Sequence, residues 1–553
     1  MPDSDCLQLE LQCDSRVKTP IPEIAPYRED ASDMTVPKEI EIKLELAPAS
    51  VSRLRKVPPL RGVKKPARRE TQVSVYFDTD KHKLRRKGLM LRVRRVGDRH
   101  IQTIKATRNS RLFERDEWES EIPGQTPDLD LARGTALEPL LSDKLHRHLH
   151  PIFETRVQRT TYPLANGKGG IALTLDKGKI TTGRRSEPLC ELELELKRGN
   201  GAQLFDLARQ LTDALPAQLA LRSKAERGYE LLTDRDVAAV KGEPVDLVAG
   251  TTTRDGFKAI GRGCLRQVVG NERALLAGDP EGVHQMRVGL RRLRAAMSLF
   301  SRILRDPETA ALKDELKWLT GELAPARELE VLMTRVVAPV KRRHARLGGL
   351  SSLSRDVAQQ RDAALARVQD AVRSARFRML TLEIAAWLED GQWTRPKGDL
   401  VRDRGEVPIE NAAAAQLRRR FRKIRKRGKR LAELDTRRRH KLRIQAKKVR
   451  YASEFFASLF PGKKPSKRRK RFLAALERMQ DYLGDLNDIA VHEDRITAIA
   501  YGDGRNNQRR RGGRSRAFAA GLLAGREDAR LDAILRNAAD AYGELTSVRP
   551  FWR

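Results

Sequence analysis

Apolar residues alternate one by one with charged ones in two short stretches that lie far apart in the chain. Glu39-Ile40-Glu41-Ile42-Lys43-Leu44-Glu45-Leu46 and Glu191-Leu192-Glu193-Leu194-Glu195-Leu196-Lys197 both have a period of two. That period puts every charge on one face of a β-strand and every aliphatic on the other. Leu91-Arg92-Val93-Arg94, Gln102-Thr103-Ile104-Lys105 and Phe153-Glu154-Thr155-Arg156 read as further strands that project bases from an apolar context. After the polar segment Thr233 to Thr253, which reads as a linker, the period changes. From Phe257 onward apolar residues recur at three and four spacings in a chain rich in Ala, Leu, Arg and Glu, which predicts helices with little strand. Loop-like interruptions fall at Trp393 to Pro408 and Pro461 to Arg471.

The helical part contains an internal repeat. His284-Gln-Met-Arg287-Val-Gly-Leu-Arg291-Arg292-Leu-Arg294, closing with Phe300, matches His440-Lys-Leu-Arg443-Ile-Gln-Ala-Lys447-Lys448-Val-Arg450, closing with Phe456. Downstream, Leu323-Ala-Pro-Ala-Arg327-Glu328-Leu-Glu330-Val331 corresponds more loosely to Leu483-Gly-Asp485-Leu-Asn487-Asp488-Ile-Ala-Val491. At about 100° per residue, offsets 0, 3, 7 and 10 from each histidine fall within roughly 80° of one helix face. His284, Arg287, Arg291 and Arg294 therefore form one stripe, and His440, Arg443, Lys447 and Arg450 the other. Met286, Leu290, Leu293, Met297 and Phe300 occupy the adjoining face and predict core. A basic helix face is ordinarily a solvated one, but it then interleaves Glu at i,i+4, and these stripes contain no acid. Repetition of that electrostatic cost points to a phosphate-rich ligand held by charge-assisted hydrogen bonds. Either histidine is equally compatible with a packing role.

Length and charge extend this picture. A chain of 553 residues, 39% hydrophobic, predicts more than one packed domain. The net charge of +37 is unevenly placed: residues 1–250 carry 44 Lys+Arg against 38 Asp+Glu, whereas residues 251–553 carry 67 against 36. The second half is thus the candidate for a polyanion, with nucleic acid the first expectation from charge alone. No apolar run approaches a membrane span, and residues 1–36 are acidic and Pro-containing, without a basic leader, and read as a disordered tail. Cys6, Cys13, Cys190 and Cys264 have no metal-ligand spacing, which predicts reduced thiols and a cytoplasmic address.

The alternating strands carry the candidate chemistry. A solvated strand face accounts for them blandly, although paired acids are unusual on such faces. The sharper reading is a metal site beside an anion: Glu39 and Glu41 offer hard oxygen ligands for Mg²⁺ or Mn²⁺, and Lys43 balances a phosphate on the same ion.

As an ordered set, Glu39-x-Glu41-x-Lys43, Tyr76-Phe77-Asp78-Thr79, Leu91-Arg92-Val93-Arg94, Lys105, Glu117-Trp118-Glu119, Phe153-x-Thr155, Asp176-x-Gly178, Glu191-x-Glu193 and Ser223-Lys224-x-x-Arg227-Gly228-Tyr229 resembles the CYTH domains, the triphosphate tunnel metalloenzymes, over residues 37–232. The histidine repeat resembles the CHAD domain over residues 255–545, as two halves of about 255–392 and 409–545 separated from the first domain by a linker at 233–254. The resemblance implies an α+β multidomain chain: an antiparallel eight-stranded β-barrel, then an all-α duplicated helical bundle. It implies a divalent cation, Mg²⁺ or Mn²⁺, on Glu39, Glu41, Asp176, Glu191 and Glu193. Lys43, Arg92, Arg94, Lys105 and Lys224 would cradle a triphosphate, joined by Arg156 or Arg159 according to strand register. Glu117 and Glu119 are candidates for orienting water, and Asp78 is expected to be structural. For the helical half the resemblance implies polyphosphate binding by the two stripes, with polyphosphate granules a natural location. Arg327-Glu328-Leu329-Glu330 departs from a more usual Arg-Asp-x-Asp.

With aromatics at 5% and no evident pocket for adenine or thiamine, inorganic triphosphate is the expected substrate. Thiamine triphosphatase and class IV adenylyl cyclase activities remain alternatives. So does a non-catalytic protein that binds polyphosphate or nucleic acid.

Overall fold

The computed structural model describes residues 38–61, 68–106, 113–162, 164, 170–233, 237–395, 404–501 and 513–552. The expected disordered tail, residues 1–36, lies outside these, as do residues 502–512. Eight strands are β1 (Lys38–Glu45), β2 (Arg68–Asp78), β3 (Leu89–Val96), β4 (Arg99–Ala106), β5 (Glu114–Ile122), β6 (His150–Tyr162), β7 (Ile171–Thr182) and β8 (Arg185–Leu196), with a two-residue β9 (Gln218–Leu219). They pair antiparallel in the order β5-β4-β3-β2-β6-β7-β8-β1, and β1 pairs with β5 as well. The chain of pairings thus returns on itself through all eight. The first domain also holds α1 (Lys83–Arg86), α2 (Asp143–His148), α3 (Gly201–Ala214) and α4 (Lys224–Leu232).

The period-two pattern is used in an inverted sense. Ile42, Leu44, Leu173, Leu175, Leu192 and Leu194 are buried on the outside of the sheet, in one cluster with Leu204, Leu207 and Leu211 of α3. Leu91, Val93 and Ile104 are buried beneath Leu137 and Leu145 in the same way. The hydrophobic effect therefore fixes the outer face of each strand, and the alternating charged residues have only the interior left.

The helical part comprises α5 (Thr253–Gly270), α6 (Glu272–Leu276), α7 (Pro280–Leu299), α8 (Pro307–Val331), α9 (Ala338–Arg343), α10 (Gly348–Arg373) and α11 (Ala375–Asp390), then α12 (Ile409–Arg427), α13 (Thr436–Phe455), α14 (Lys463–Tyr501), α15 (Gly513–Asp528) and α16 (Leu531–Ser547). Asp279 and Asp435 cap the two repeated helices, α7 and α13, through their side chains. Phe300 and Phe456, the residues that close each repeat, meet with ring centroids 6.1 Å apart. Pro461 to Arg471 is not a loop: from Lys463 it belongs to α14. Pro465 falls in the first turn, where its missing N–H costs nothing.

The segment expected to be a linker is packed. The Val240 N–H donates to Asn271 Oδ1 and the Leu247 N–H to Ser458 Oγ, each at 2.8 Å, while Val245 and Leu247 are buried. The barrel and helical domains also meet directly. Arg209 of α3 forms a bidentate pair with Glu383 of α11, and Gln218 of β9 donates to the buried Glu272 of α6.

Candidate active site and candidate anion groove

Strand register brings the barrel charges together. Lys43 lies opposite Glu193 across β1 and β8, Asp176 opposite Glu191 across β7 and β8, and Arg159 opposite Asp176 across β6 and β7. The carboxylates of Asp176, Glu191 and Glu193 are all buried, with oxygens within 4.8 Å of one another. Lys224, at the start of α4, reaches all three at 2.7, 2.5 and 2.8 Å. A Ser223–Glu226 capping box fixes where that helix begins and so where the ammonium enters. Arg159 holds Asp176 through two bonds of 2.8 and 2.6 Å and also donates to Glu193. Lys43 bridges Glu193 at 2.6 Å and Glu41 at 2.9 Å.

Gly178 allows this register. A Cβ there would stand 2.0 Å from the Arg156 carbonyl oxygen, so only glycine lets β6 approach β7 this closely. On the remaining wall, Lys105 binds Glu39 at 2.5 Å and Glu117 at 2.9 Å, Arg92 lies 3.6 Å from Glu117, and Arg94 lies 3.4 Å from Glu119.

Burial pushes the Glu193 carboxyl up, but Lys224, Lys43 and Arg159 outweigh it and hold the group well below the ordinary range. Burial likewise opposes charge on Lys224, and Asp176, Glu191 and Glu193 reverse that, keeping the ammonium charged. Glu193 and Lys224 thus hold opposite full charges inside the barrel. Four carboxylates, Glu41, Asp176, Glu191 and Glu193, face three cationic groups, and the buried Glu191 Oε2 accepts no hydrogen bond. The converging oxygens of Asp176, Glu191 and Glu193, with Glu191 Oε2 lacking a donor, fit a divalent cation such as Mg²⁺ or Mn²⁺.

In the helical half, α7 and α13 pack against each other and set Arg287 and Arg291 close to Arg443 and Lys447. Burial and then Arg443 and Arg291 press the Lys447 ammonium down to about 7. Burial and Arg291 lower Arg287 to about 10. His284, half-buried beside Arg327, is pushed down to about 4 and is neutral, whereas His440 Nδ1 lies 2.9 Å from Asn487 Oδ1. The two histidines, equivalent in sequence, thus have different partners. Glu328 accepts from Arg495 at 2.7 Å and Asp488 stands 3.8 Å from Arg443, so these acids orient bases from the groove's edge.

Family models match this architecture twice: a CYTH domain over residues 37–229 and a CHAD domain over residues 259–497. The chain carries a CYTH domain followed by a CHAD domain. An inorganic triphosphatase of Haemophilus influenzae is 33% identical over 162 residues, 29% of this chain and 45% of the relative, so the match spans less than half of that protein. The crystal structure of the CHAD domain from the plant Ricinus communis is 29% identical, with a TM-score of 0.46 over 56% of this chain and 98% of that one. HpAC1 from Hippeastrum, reported to have a dominant triphosphatase activity, is 19% identical, with a TM-score of 0.27 over 35% of this chain and 95% of that one.

Within the CYTH domain the expected residues divide into three placements. Asp176, Glu191, Glu193, Lys43, Lys224, Arg159 and Glu41 form one cluster, and Glu39, Arg92, Arg94 and Lys105 the wall beside it. Arg156 does not join them: three residues from Arg159, it has the opposite strand parity, is more than half exposed and lies 3.5 Å from Glu154. Asp78 is structural as expected, fully buried and accepting the N–H groups of Thr79, Leu84 and Arg85 and the Tyr229 hydroxyl.

The CHAD stripes are shorter than helix geometry alone predicts. Arg450 turns to Glu454 at 2.9 Å and Glu477 at 3.6 Å, so an i,i+4 acid just beyond the expected stripe satisfies it. Arg294 is exposed beyond the groove. Arg327 and Asn487, the histidines' neighbours, hold equivalent positions in the repeat.

Proposed function

We propose that the CYTH tunnel hydrolyses inorganic triphosphate to pyrophosphate and phosphate with a divalent cation, Mg²⁺ or Mn²⁺, and that the CHAD groove binds inorganic polyphosphate. The observation that carries the first part is the buried triad Asp176, Glu191 and Glu193, held among Lys224, Arg159 and Lys43. Without a cation these carboxylates would repel a polyanion. Asp176, Glu191 and Glu193 would hold that cation, with Glu41 adjoining through Lys43, and it would supply Lewis-acid polarisation of the phosphoryl oxygens. Lys105, Arg92 and Arg94 line the wall along which a triphosphate chain lies, and Lys43, Arg159 and Lys224 stabilise the negative charge that grows on the departing pyrophosphate. The name of the H. influenzae relative agrees with a triphosphatase, and the absence of an aromatic platform among these residues favours the inorganic chain over a nucleotide.

For the groove, support comes from Arg287, Arg291, Arg443 and Lys447, four bases from two repeats with shared electrostatic cost. The packed seam between the domains holds the two sites at a fixed distance, which raises the concentration of phosphate chains near the tunnel. No described helix is long and apolar enough to cross a membrane.

The test is phosphate release from inorganic triphosphate by the full chain, with and without Mg²⁺ or Mn²⁺, beside Glu191→Gln and Glu193→Gln. ATP and thiamine triphosphate compete in parallel, and cyclic nucleotide is assayed. Metal-dependent release that collapses at least a hundredfold in both variants is the expected outcome. Release from folded protein that is indifferent to metal or to both substitutions refutes the assignment.

A further inference from the structure

The two CHAD repeats treat one equivalent position differently. In the first, Arg292 is buried: its guanidinium donates to Gln267 Oε1 at 3.0 Å and to the Glu243 carbonyl at 3.3 Å, and lies 5.5 Å from the centre of the Phe455 ring. The packed segment before α5 thus covers it. Its counterpart in the second repeat, Lys448, has no such hydrogen bond or ring contact among the described residues. Its charged neighbours are Arg420, Lys423 and Arg427 of α12 and Arg294 of α7, and burial together with those cations lowers its ammonium.

Among the described residues, no carboxylate pairs with Arg294, Lys448, Arg420, Lys423 or Arg427. From Asn411 to Ala432 the sequence contains no Asp or Glu, while residues 418–430 contain ten Lys or Arg. Arg420 is 6% exposed, donates from Nη2 to the Ser298 carbonyl at 2.8 Å, and has a buried Nε with no acceptor. A helix that was merely solvated would relieve such crowding with interleaved acids. Exposed aromatics that would stack bases are absent among these residues, which leaves backbone phosphate as the matching chemistry.

The ridge is continuous with the groove on two helices. Arg294 follows Arg291 by one turn on α7, and Lys448 is adjacent to Lys447 on α13. From Arg420 to Arg427 the ridge extends a further roughly 10 Å along α12. We propose that the α12 ridge is a second phosphate-chain site, where a long inorganic polyphosphate leaving the groove past Arg294 and Lys448 continues along Arg420, Lys423 and Arg427. This rests on the reading of the groove as a polyphosphate site.

The test measures binding of two size-fractionated inorganic polyphosphates to the full chain without divalent cation, at several salt concentrations. One polyphosphate is short enough for the groove alone and the other several times longer. Lys423→Gln/Arg427→Gln, at exposed positions, is compared with Arg287→Gln/Arg291→Gln after equal melting temperatures have been verified. The ridge variant is expected to bind the short chain normally and the long chain about tenfold more weakly, with the salt slope reduced by about one to two. The groove variant loses both. Unchanged long-chain affinity in the ridge variant, with binding lost in the groove variant, overturns the ridge and leaves the groove. No binding of either chain by wild type overturns both. A ridge variant that loses duplex DNA but keeps long polyphosphate assigns the surface to nucleic acid and also overturns the proposal.

Discussion

If the proposed groove binds polyphosphate, Lys447 should make that binding pH-dependent in a direction opposite to that of the ligand. With its ammonium lowered to about 7 by burial and the neighbouring guanidiniums, the free protein is largely uncharged at this position at pH 9. The negative charge of a bound phosphate chain would offset the burial as well as the neighbouring Arg443 and Arg291 and return Lys447 toward the ordinary lysine value of about 10.4, so binding should take up a proton wherever the free group lacks one. Affinity therefore rises as pH falls from about 10 toward 7 and levels off below 7, where Lys447 is protonated in both states. For a shift from about 7 to about 10.4, linkage makes the affinity about 50-fold higher at pH 7 than at pH 9. The terminal phosphates of the chain titrate the other way, gaining charge as pH rises. Titration calorimetry in two buffers of different ionisation enthalpy reads both the affinity and the proton count. Lys447→Gln should abolish the uptake and flatten the profile, and Lys447→Arg should flatten it at the high, low-pH affinity. A wild-type profile identical to that of Lys447→Gln between pH 7 and 9 would refute the argument, as would proton release on binding.

Two further predictions concern the barrel and the seam. Arg159→Ala should lower kcat/KM for triphosphate at least a hundredfold by leaving Asp176 and Glu193 short of a partner, while Arg156→Ala should change it less than threefold, because its side chain points outward; equal losses in both would show that the register is wrong. Glu272, buried beneath Gln218 with Glu45 nearby, has its carboxyl raised to about 8 by burial first and Glu45 second. The folded state holds that proton more tightly than the unfolded chain, so its contribution is complete below about 4.3 and is lost as pH rises toward 8. Glu272→Gln should therefore have a flatter melting temperature than wild type between pH 5 and 8.5, with its advantage largest at the alkaline end; parallel curves would exclude a neutral Glu272 at the seam.

Much of the barrel was legible in the chain because its signal is strictly local. Alternation in β1 and β8 states which side chains share a face, and the ordered motifs name the family. What covers the apolar face was not legible. Ile42, Leu192 and Leu194 face outward only because α3, which follows the last long strand by a few residues, supplies the apolar layer that covers them. In the same way Arg156 and Arg159 are both bases on one strand, and only the pairing of Arg159 with Asp176 across β6 and β7 selects between them. Lys224 is the clearest case of convergence at a distance. It belongs to a helix, and its contact with all three acids depends on where the chain returns after β8.

The helical half divides similarly. The repeat, its two basic helices and the apolar faces that pack them follow from periodicity, since 3.6 residues per turn fixes angular position whatever the surroundings. Periodicity cannot see what stands opposite. Glu454 and Glu477 withdraw Arg450, the segment before α5 supplies an acceptor to Arg292, and Arg327 and Asn487 give the equivalent histidines unlike environments. By itself the sequence determined strand and helix faces, the duplication, the segregation of charge and the family of each domain, all properties of residues near one another or of the chain as a whole. Tertiary structure alone decided which charges meet, because an ion pair or a ligand set depends on distances of a few ångströms between residues far apart in the chain, 17 positions for Arg159 and Asp176 and 150 for Lys43 and Glu193.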